Sequence, residues 1–236
     1  MQRATLPDTQ NRLLAALPSR DYRRLARHLE PVSLPLRQVL YEPGDPIRHV
    51  YFPESGVISL LTVVDPSKAA EVAVIGNEGV VGASTTLGIN SSHVRALVQG
   101  TGTALRIEAS LLREEFAENG AWFRELYRFS NALMGQAAQT AACNRFHTVE
   151  ARLARWLLAT RDRVHSRHFD LTQEFLSTML GVRRVGITGA AMHLQKLKII
   201  TYSRGHIQIL DPSRLEEAAC GCYRVVKDIY RLSYRR

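Results

Sequence analysis

Eight of the nine prolines fall at or before Pro66 and the ninth is Pro212, so the long stretch between them lacks the strongest helix breaker. Such a chain can carry long helices in its middle and must confine its turn-rich structure to the first part. The residue pattern agrees. From 34 to 107 short β-rich runs alternate with turn signals: Val39-Leu40-Tyr41 before Glu42-Pro43-Gly44-Asp45, 49–52 before Pro53-Glu54-Ser55-Gly56, and 57–64 before Asp65-Pro66-Ser67. Further runs at 71–75, 94–99 and 103–107 follow a Gly-rich loop, the last two separated by Gly100-Thr101-Gly102. Many short strands at this spacing imply an antiparallel sandwich or barrel rather than a parallel sheet with crossover helices.

After Glu108 the pattern becomes helical, and 121–164 holds no Pro and a single Gly, Gly135. Leu126, Phe129, Leu133 and Ala137 step by three, four and four, and Ala138, Ala141 and Ala142 continue with small side chains that let another helix approach. This stripe reads as a dimer seam formed by Leu126, Phe129, Leu133, Ala137 and Ala141; the alternative is that it packs on its own barrel. The periodicity stumbles at 144–148 and resumes with apolar residues at 149, 153, 156 and 157, which makes the stumble a candidate hinge.

A length of 236 residues favours two compact units. The net charge of +9 asks for an anionic partner, and its distribution says where. The 34–107 stretch has five Lys and Arg against six Asp and Glu, whereas 165–236 has twelve against six. The longest run without charge or Pro in the β-rich part is 57–64, far short of the roughly 20 apolar residues of a membrane helix, so no membrane partner is expected. The first residues contain no uninterrupted apolar segment before a small-residue cleavage site, and Cys143, Cys220 and Cys222 are an odd number without framework spacing. Both features fit a cytoplasmic protein.

The basic part carries the strongest motif. Phe175, Leu176, Met179 and Leu180 give one face of a short helix, Gly181 follows where a tight turn needs positive φ, and a second helix over 183–196 buries Ile187, Ala190, Ala191 and Leu194. Two helices across such a turn are the helix-turn-helix signature. The second helix offers Arg183, Arg184 and Thr188 near its N-terminus, the end that meets base edges when such a helix enters the major groove. The runs 199–202 and 206–210 flank Ser203-Arg204-Gly205, a hairpin whose tip presents a cation to phosphate. The whole is a winged helix-turn-helix; a helical hairpin with a solvated basic face is its bland alternative.

A β-roll, a long helix and a winged helix-turn-helix in this order resemble the Crp/Fnr family of bacterial transcription regulators over residues 15 to 223. The stretch from Leu171-Thr172-Gln173-Glu174 through Gly181 and Arg184 to Leu194 carries most of the likeness, with the cysteine pair and Tyr223 similar to one branch. The resemblance implies an α+β fold in three parts: an N-terminal antiparallel, cyclic-nucleotide-binding-like β-roll over 15–120, a dimerisation helix over 121–147 and a C-terminal winged helix-turn-helix over 148–223. It implies a homodimer on a palindromic duplex DNA operator, with RNA polymerase as a further partner. Arg184 falls on the family's base-reading arginine and Gln173 on a backbone-contacting position, with Arg183 and Thr188 beside the groove and Arg204 on phosphate. Two departures, Val185 at an often acidic position and Gly189 at a frequent arginine position, imply a different operator.

The resemblance also frames the effector. Cyclic-nucleotide-binding members hold the ribose with a Gly-Glu pair and the phosphate with an Arg about a dozen residues later. Here the stretch reads Gly76-Asn77-Glu78-Gly79-Val80-Val81-Gly82-Ala83, so Ala83 replaces the Glu; the Arg position falls near Ser92-His93, with Arg95 the nearest cation. Losing both partners removes the charge-assisted bonds that would offset burying a phosphate, which argues against cyclic AMP. Two readings stand: the candidate pocket of Gly79, Val80, Val81, Gly82, Ala83, His93 and Arg95 cradles an anion with the N–H groups of Gly79 and Gly82, or the loop is a structural remnant.

An iron–sulfur cluster of the kind some relatives use would need N-terminal cysteines, and the first cysteine is Cys143. A haem would have to draw on the scattered His28, His49 and His93. Cys220-Gly221-Cys222 lacks a second cysteine pair, so it reads as a packed or redox-sensitive pair and no metal is expected. The chain has no GxSxG elbow, no phosphate-loop motif and no HExxH, and it is read as a non-enzyme. The alternatives are a ligand-sensing or protein-interaction module whose basic surface serves an acidic protein, or a haem or redox variant of the same family.

Overall fold

The protein is described by a computed structural model at residues 9–65, 68–117 and 120–234, with the side chains of 116 and 117 left out. The turn expected at Pro66-Ser67 lies outside the described residues. The chain divides into two compact units, one made of 1–60 and 74–133, the other of 61–73 and 134–236.

The first unit opens with two short helices, α1 (Arg12–Ala15) and α2 (Ser19–Ala26). Asn11 caps α1. It is fully buried, and its side chain is used completely: Oδ1 accepts from Leu13 N and Leu14 N at 3.1 Å, while Nδ2 donates to Pro53 O at 2.9 Å and Gly79 O at 2.8 Å. One amide therefore ties the first turn of the chain to a strand end and to the Gly-rich loop.

Strands β1 (Glu30–Leu34), β2 (Val39–Tyr41), β3 (His49–Pro53), β4 (Val57–Asp65), β5 (Lys68–Ile75), β6 (Arg95–Gly100) and β7 (Gly102–Glu108) form two sheets, in the orders β1-β7-β3 and β2-β6-β4-β5. The β1-β7, β3-β7 and β2-β6 pairs are antiparallel, the last with a bulge between Val39 and Tyr41. The pairing is antiparallel, as the turn spacing implied, and the two sheets form the roll that the family resemblance implied. Strand β1 escaped the sequence pattern because Pro31 interrupts it and only Leu34 is buried, both of which an edge strand tolerates. Val50, Phe52, Ile58, Ile75, Val98 and Ile107 are buried in the interior.

Helix α3 (Ala109–Ala117) follows the roll, and α4 runs over 27 residues from Gly120 to Phe146. The seam assigned to α4 needs correction. Leu126 and Phe129 are buried inside the first unit, so the packing alternative holds for them; Leu133 and Ala137 are half-buried and Ala141 is exposed. The line of exposed side chains is Tyr127, Met134, Ala138 and Ala141. A stripe read from the sequence shows that a helix has an apolar face without saying which of two adjoining faces is inward.

In the second unit α5 (Val149–Val164) starts after the periodicity stumble, with Thr148 Oγ1 accepting from Ala151 N at 3.3 Å. Helices α6 (Gln173–Leu180) and α7 (Arg184–Lys196) come next, then α8 (Pro212–Ala218) and α9 (Cys222–Ser233). A small sheet of order β8-β10-β9 joins β8 (His168–Asp170), β9 (Ile200–Ser203) and β10 (His206–Ile209). Among the described residues no helix is long and apolar enough to cross a membrane.

Replacing Asn11 by Ala leaves two buried carbonyls and two helix-start N–H groups without partners. The expected loss is about 2–3 kcal/mol of first-unit stability, read as a lower urea midpoint with an unchanged slope.

Candidate nucleic-acid interface

Helix α6 begins at Thr172, whose Oγ1 accepts from Phe175 N at 3.1 Å, and it ends at Gly181, whose φ of 59° lets the chain reverse without a Cβ clash. The turn is held from below. Arg152, buried on α5, donates through Nη2 to the carbonyl of Leu180, the last residue of α6. Burial lowers the pKa of this guanidinium, while the nearby thiol of Cys143 acts the other way. No sequence motif announces Arg152, because an arginine inside an apolar helix face reads as an exception to the pattern.

Helix α7 buries Ile187, Ala190, Ala191 and Leu194, as its spacing implied. Arg183 is its N-cap residue with extended backbone, and Arg184 is its first residue; both are exposed. Gln173 connects the two helices: its Oε1 accepts from Thr188 Oγ1 at 2.9 Å and from Arg184 Nε at 3.4 Å. Thr188 Oγ1 also lies 3.1 Å from the Arg184 carbonyl. Thus Gln173, Arg184 and Thr188 sit in one hydrogen-bonded group. Val185 is 74% exposed beside Arg184, and Gly189 and Met192 continue the same open face.

The hairpin tip is set by local chemistry. Ser203 pairs with His206, and the two residues between them, Arg204 and Gly205, have φ of 49° and 87°, the signature of a type I′ turn that matches strand twist. Arg204 is exposed at that tip. Tyr202 anchors the hairpin: its N–H donates to Gln195 Oε1 at 2.6 Å and its hydroxyl to the Leu171 carbonyl at 2.7 Å. The third strand, β8, has only three residues and one buried side chain, too little for a period-2 signal.

The Gly-rich loop in the first unit is a different case. Gly79 donates its N–H to Gly76 O at 3.2 Å, Val81 exchanges both backbone bonds with Tyr51, and a Cβ built on Gly79 would lie 2.1 Å from the Phe129 ring. The Gly79 N–H is therefore engaged within the loop. Ala83 opens a 3₁₀ turn, Ala83–Leu87, and His93 is exposed. Arg95 Nε donates to both oxygens of Glu42, at 3.0 and 2.9 Å, so the nearest cation already faces a carboxylate. The haem candidates stand on separate elements, His49 on β3, His28 just after α2 and His93 on the loop before β6.

Where α4 ends, Cys143 meets Cys220 and Cys222 from the α8–α9 corner, and His147 joins them. The Cys220 hydrogen bond and the Arg155 charge hold the Cys143 thiol down at about 5 against the opposing effect of burial. Cys220, the donor of that bond, is pushed up. Cysteine spacing alone does not announce this set, because the further ligands are Cys143 on α4 and His147 just past its end, more than 70 residues before Cys220.

Two family models match the chain, one for the cyclic nucleotide-binding domain over residues 31–119 and one for the Crp-like helix-turn-helix domain over residues 151–218, together about two thirds of it. The chain belongs to the Crp/Fnr family. Like the members of that family, it is a DNA-binding transcription regulator. Its fold is similar to FixK2 from Bradyrhizobium japonicum, with a TM-score of 0.68 at 15% identity, covering 82% of this chain and 98% of that one. A transcriptional regulator of the Crp/Fnr family from Eubacterium rectale gives a TM-score of 0.69 at 15% identity, covering 88% and 97%. The regulator CLP from Xanthomonas campestris, described as responsive to c-di-GMP, gives 0.67 at 15%, covering 81% and 99%. At such identities the likeness speaks for the fold. A search of curated proteins finds no match.

In this Crp/Fnr chain the contact of Gly79 with Phe129 leaves no room for a methyl group. Gly79→Ala is expected to lower stability by about 1–3 kcal/mol, measured by thermal unfolding, through displacement of the buried Phe129 ring.

Proposed function

We propose that this regulator acts in the cytoplasm as a homodimer that reads a palindromic duplex with α7 and does so without cyclic AMP. The observation that carries the reading is the Gln173-Arg184-Thr188 group, which holds a guanidinium at the exposed N-terminus of a helix that has no acidic residue in its first turn. An arginine so placed forks onto guanine O6 and N7. Val185, exposed at the next position, supplies an apolar contact for a thymine methyl, where an acidic residue would favour cytosine. Arg183 and Arg204 take phosphates, and Gln173 lies against the backbone.

The dimer forms through the exposed line of α4, with Met134 and the small Ala138 and Ala141 permitting close helix approach. Two copies of α7 then address half-sites about one helical turn apart. RNA polymerase is the further partner of a regulator of this kind. Independence from cyclic AMP follows from charge: Arg95 is engaged by Glu42 and Ala83 offers no carboxylate. We read the segment 79–83 as part of the roll's framework, since its Gly79 N–H and both Val81 backbone groups are used internally.

Selection from a random duplex library by the purified protein, at two salt concentrations and with or without cyclic AMP, tests this. A palindrome is expected in both arms; recovery only with the nucleotide would reverse the reading of Ala83 and Arg95, and no enrichment in either arm would favour the protein-interaction alternative. Arg184→Ala is expected to cost about 1–3 kcal/mol on the selected site and much less on random DNA, as measured by fluorescence anisotropy. Met134→Glu is expected to convert the dimer to monomer in sedimentation experiments.

A further inference from the structure

Three thiols and an imidazole converge within the second unit. Cys143 lies near the end of α4, His147 follows that helix, and Cys220 and Cys222 form the corner between α8 and α9. Their ligand atoms all lie within 4.8 Å of one another, with 3.4 Å from Cys143 Sγ to Cys220 Sγ and 3.5 Å from Cys222 Sγ to His147 Nδ1. Tetrahedral zinc with Zn–S of about 2.3 Å and Zn–N of about 2.0 Å keeps its ligand atoms about 3.5–3.8 Å apart, so side-chain movements of about 1 Å would close the cage.

Buried cysteines often pack as small hydrophobes, and three of them alone would carry no more than that. Two neighbours say otherwise. Gln139, one turn before Cys143 on α4, donates from Nε2 to Cys222 Sγ at 3.0 Å, the kind of outer hydrogen bond that orients a thiolate ligand. Arg155, only 8% exposed, lies beside Cys143, and its Nε is buried without a hydrogen-bond partner. A buried guanidinium needs a counter-charge. Three thiolates, a neutral imidazole and Zn²⁺ sum to one negative charge, a counter-charge for Arg155 and for Arg152, which faces the same thiols.

We propose that Cys143, His147, Cys220 and Cys222 form a Cys₃His zinc site that clamps the end of α4 to the α8–α9 corner. Soft thiolates with one imidazole at tetrahedral separation select zinc, and four protein ligands leave no open position, which makes the site structural rather than catalytic. On binding, each thiol releases its proton to the buffer as its sulfur bonds the metal, and no electron is transferred. The clamp fixes His147, which stands in the break between α4 and α5. The site does not depend on the assignment of DNA-reading residues.

The test uses the untagged full-length protein, purified under reducing conditions. Zinc is expected to remain after dialysis at one ion per chain. Cobalt added to the metal-free protein is expected to give the intense ligand-field and sulfur charge-transfer bands of a tetrahedral thiolate site, and zinc to bleach them. His147→Ala removes an exposed side chain that folding does not require; it should weaken zinc binding and shift the cobalt bands. Gln139→Ala should weaken binding about 10–100-fold while leaving the bands in place. Arg184→Ala should keep full zinc occupancy while losing DNA selectivity, which separates this proposal from the functional one. Only the pale spectrum of aqueous cobalt, an unchanged His147→Ala spectrum and affinity, a Cys143–Cys220 disulfide in place of metal, or a haem absorption band that depends on these residues would overturn it.

Discussion

A guanidinium inside an apolar helix face is costly unless its hydrogen-bonding capacity is used, and Arg152 directs part of its own to the Leu180 carbonyl. That bond reaches the last turn of α6, where unpaired carbonyls accumulate and where a cation is favoured by the helix dipole. The end of α6 fixes Gly181, Gly181 fixes the turn, and the turn sets where Arg184 begins α7. The hydrogen-bonded group around Gln173 then operates from a rigid base. Presentation of the exposed arginine that begins α7 is thus a packing problem solved on α5.

Arg155, one turn further along α5, raises the same difficulty, and the charge that it faces is that of Cys143 near the end of α4. Two buried arginines on one helix therefore face the thiol cluster, and Arg152 in addition bonds the carbonyl at the end of α6. The break between α4 and α5 carries His147 into that cluster, and His147 N donates to Cys143 O at 3.1 Å. A segment that reads as a plain interruption of periodicity is, in three dimensions, the point where side chains distant in sequence are joined.

In the roll, the donors around the Gly-rich loop are already engaged within the protein. A phosphate-binding cassette needs donors that are free until the ligand arrives. Here Gly79 N–H, both Val81 backbone groups and the Arg95 guanidinium all have partners, and Asn11 holds the Gly79 carbonyl from the other side. The framework of the nucleotide-binding fold persists because Asn11, Gly79 and Phe129 are needed for packing whether or not a ligand is bound.

The succession of turns before Pro66, the helical stretch after Glu108 and the Gly181 turn between two apolar helix faces were determined by the sequence itself, because each depends on residues within a few positions of one another. Arg184, Thr188 and Gln173 were legible for the same reason, together with a resemblance to a known family. The inward face of α4 was not: Leu126 and Phe129 are as suitable for a partner helix as for the roll, and only the fit of Phe129 against Gly79 decides between them. Strand β8 and the clasp of Arg95 by Glu42 likewise needed partners tens of residues away. The cysteine cluster is the extreme case, since Cys143 and Cys220 are 77 residues apart. Local spacing reports on helices and turns, whereas a cluster of thiols or an ion pair between distant residues exists only once tertiary packing has brought its members within a few ångströms.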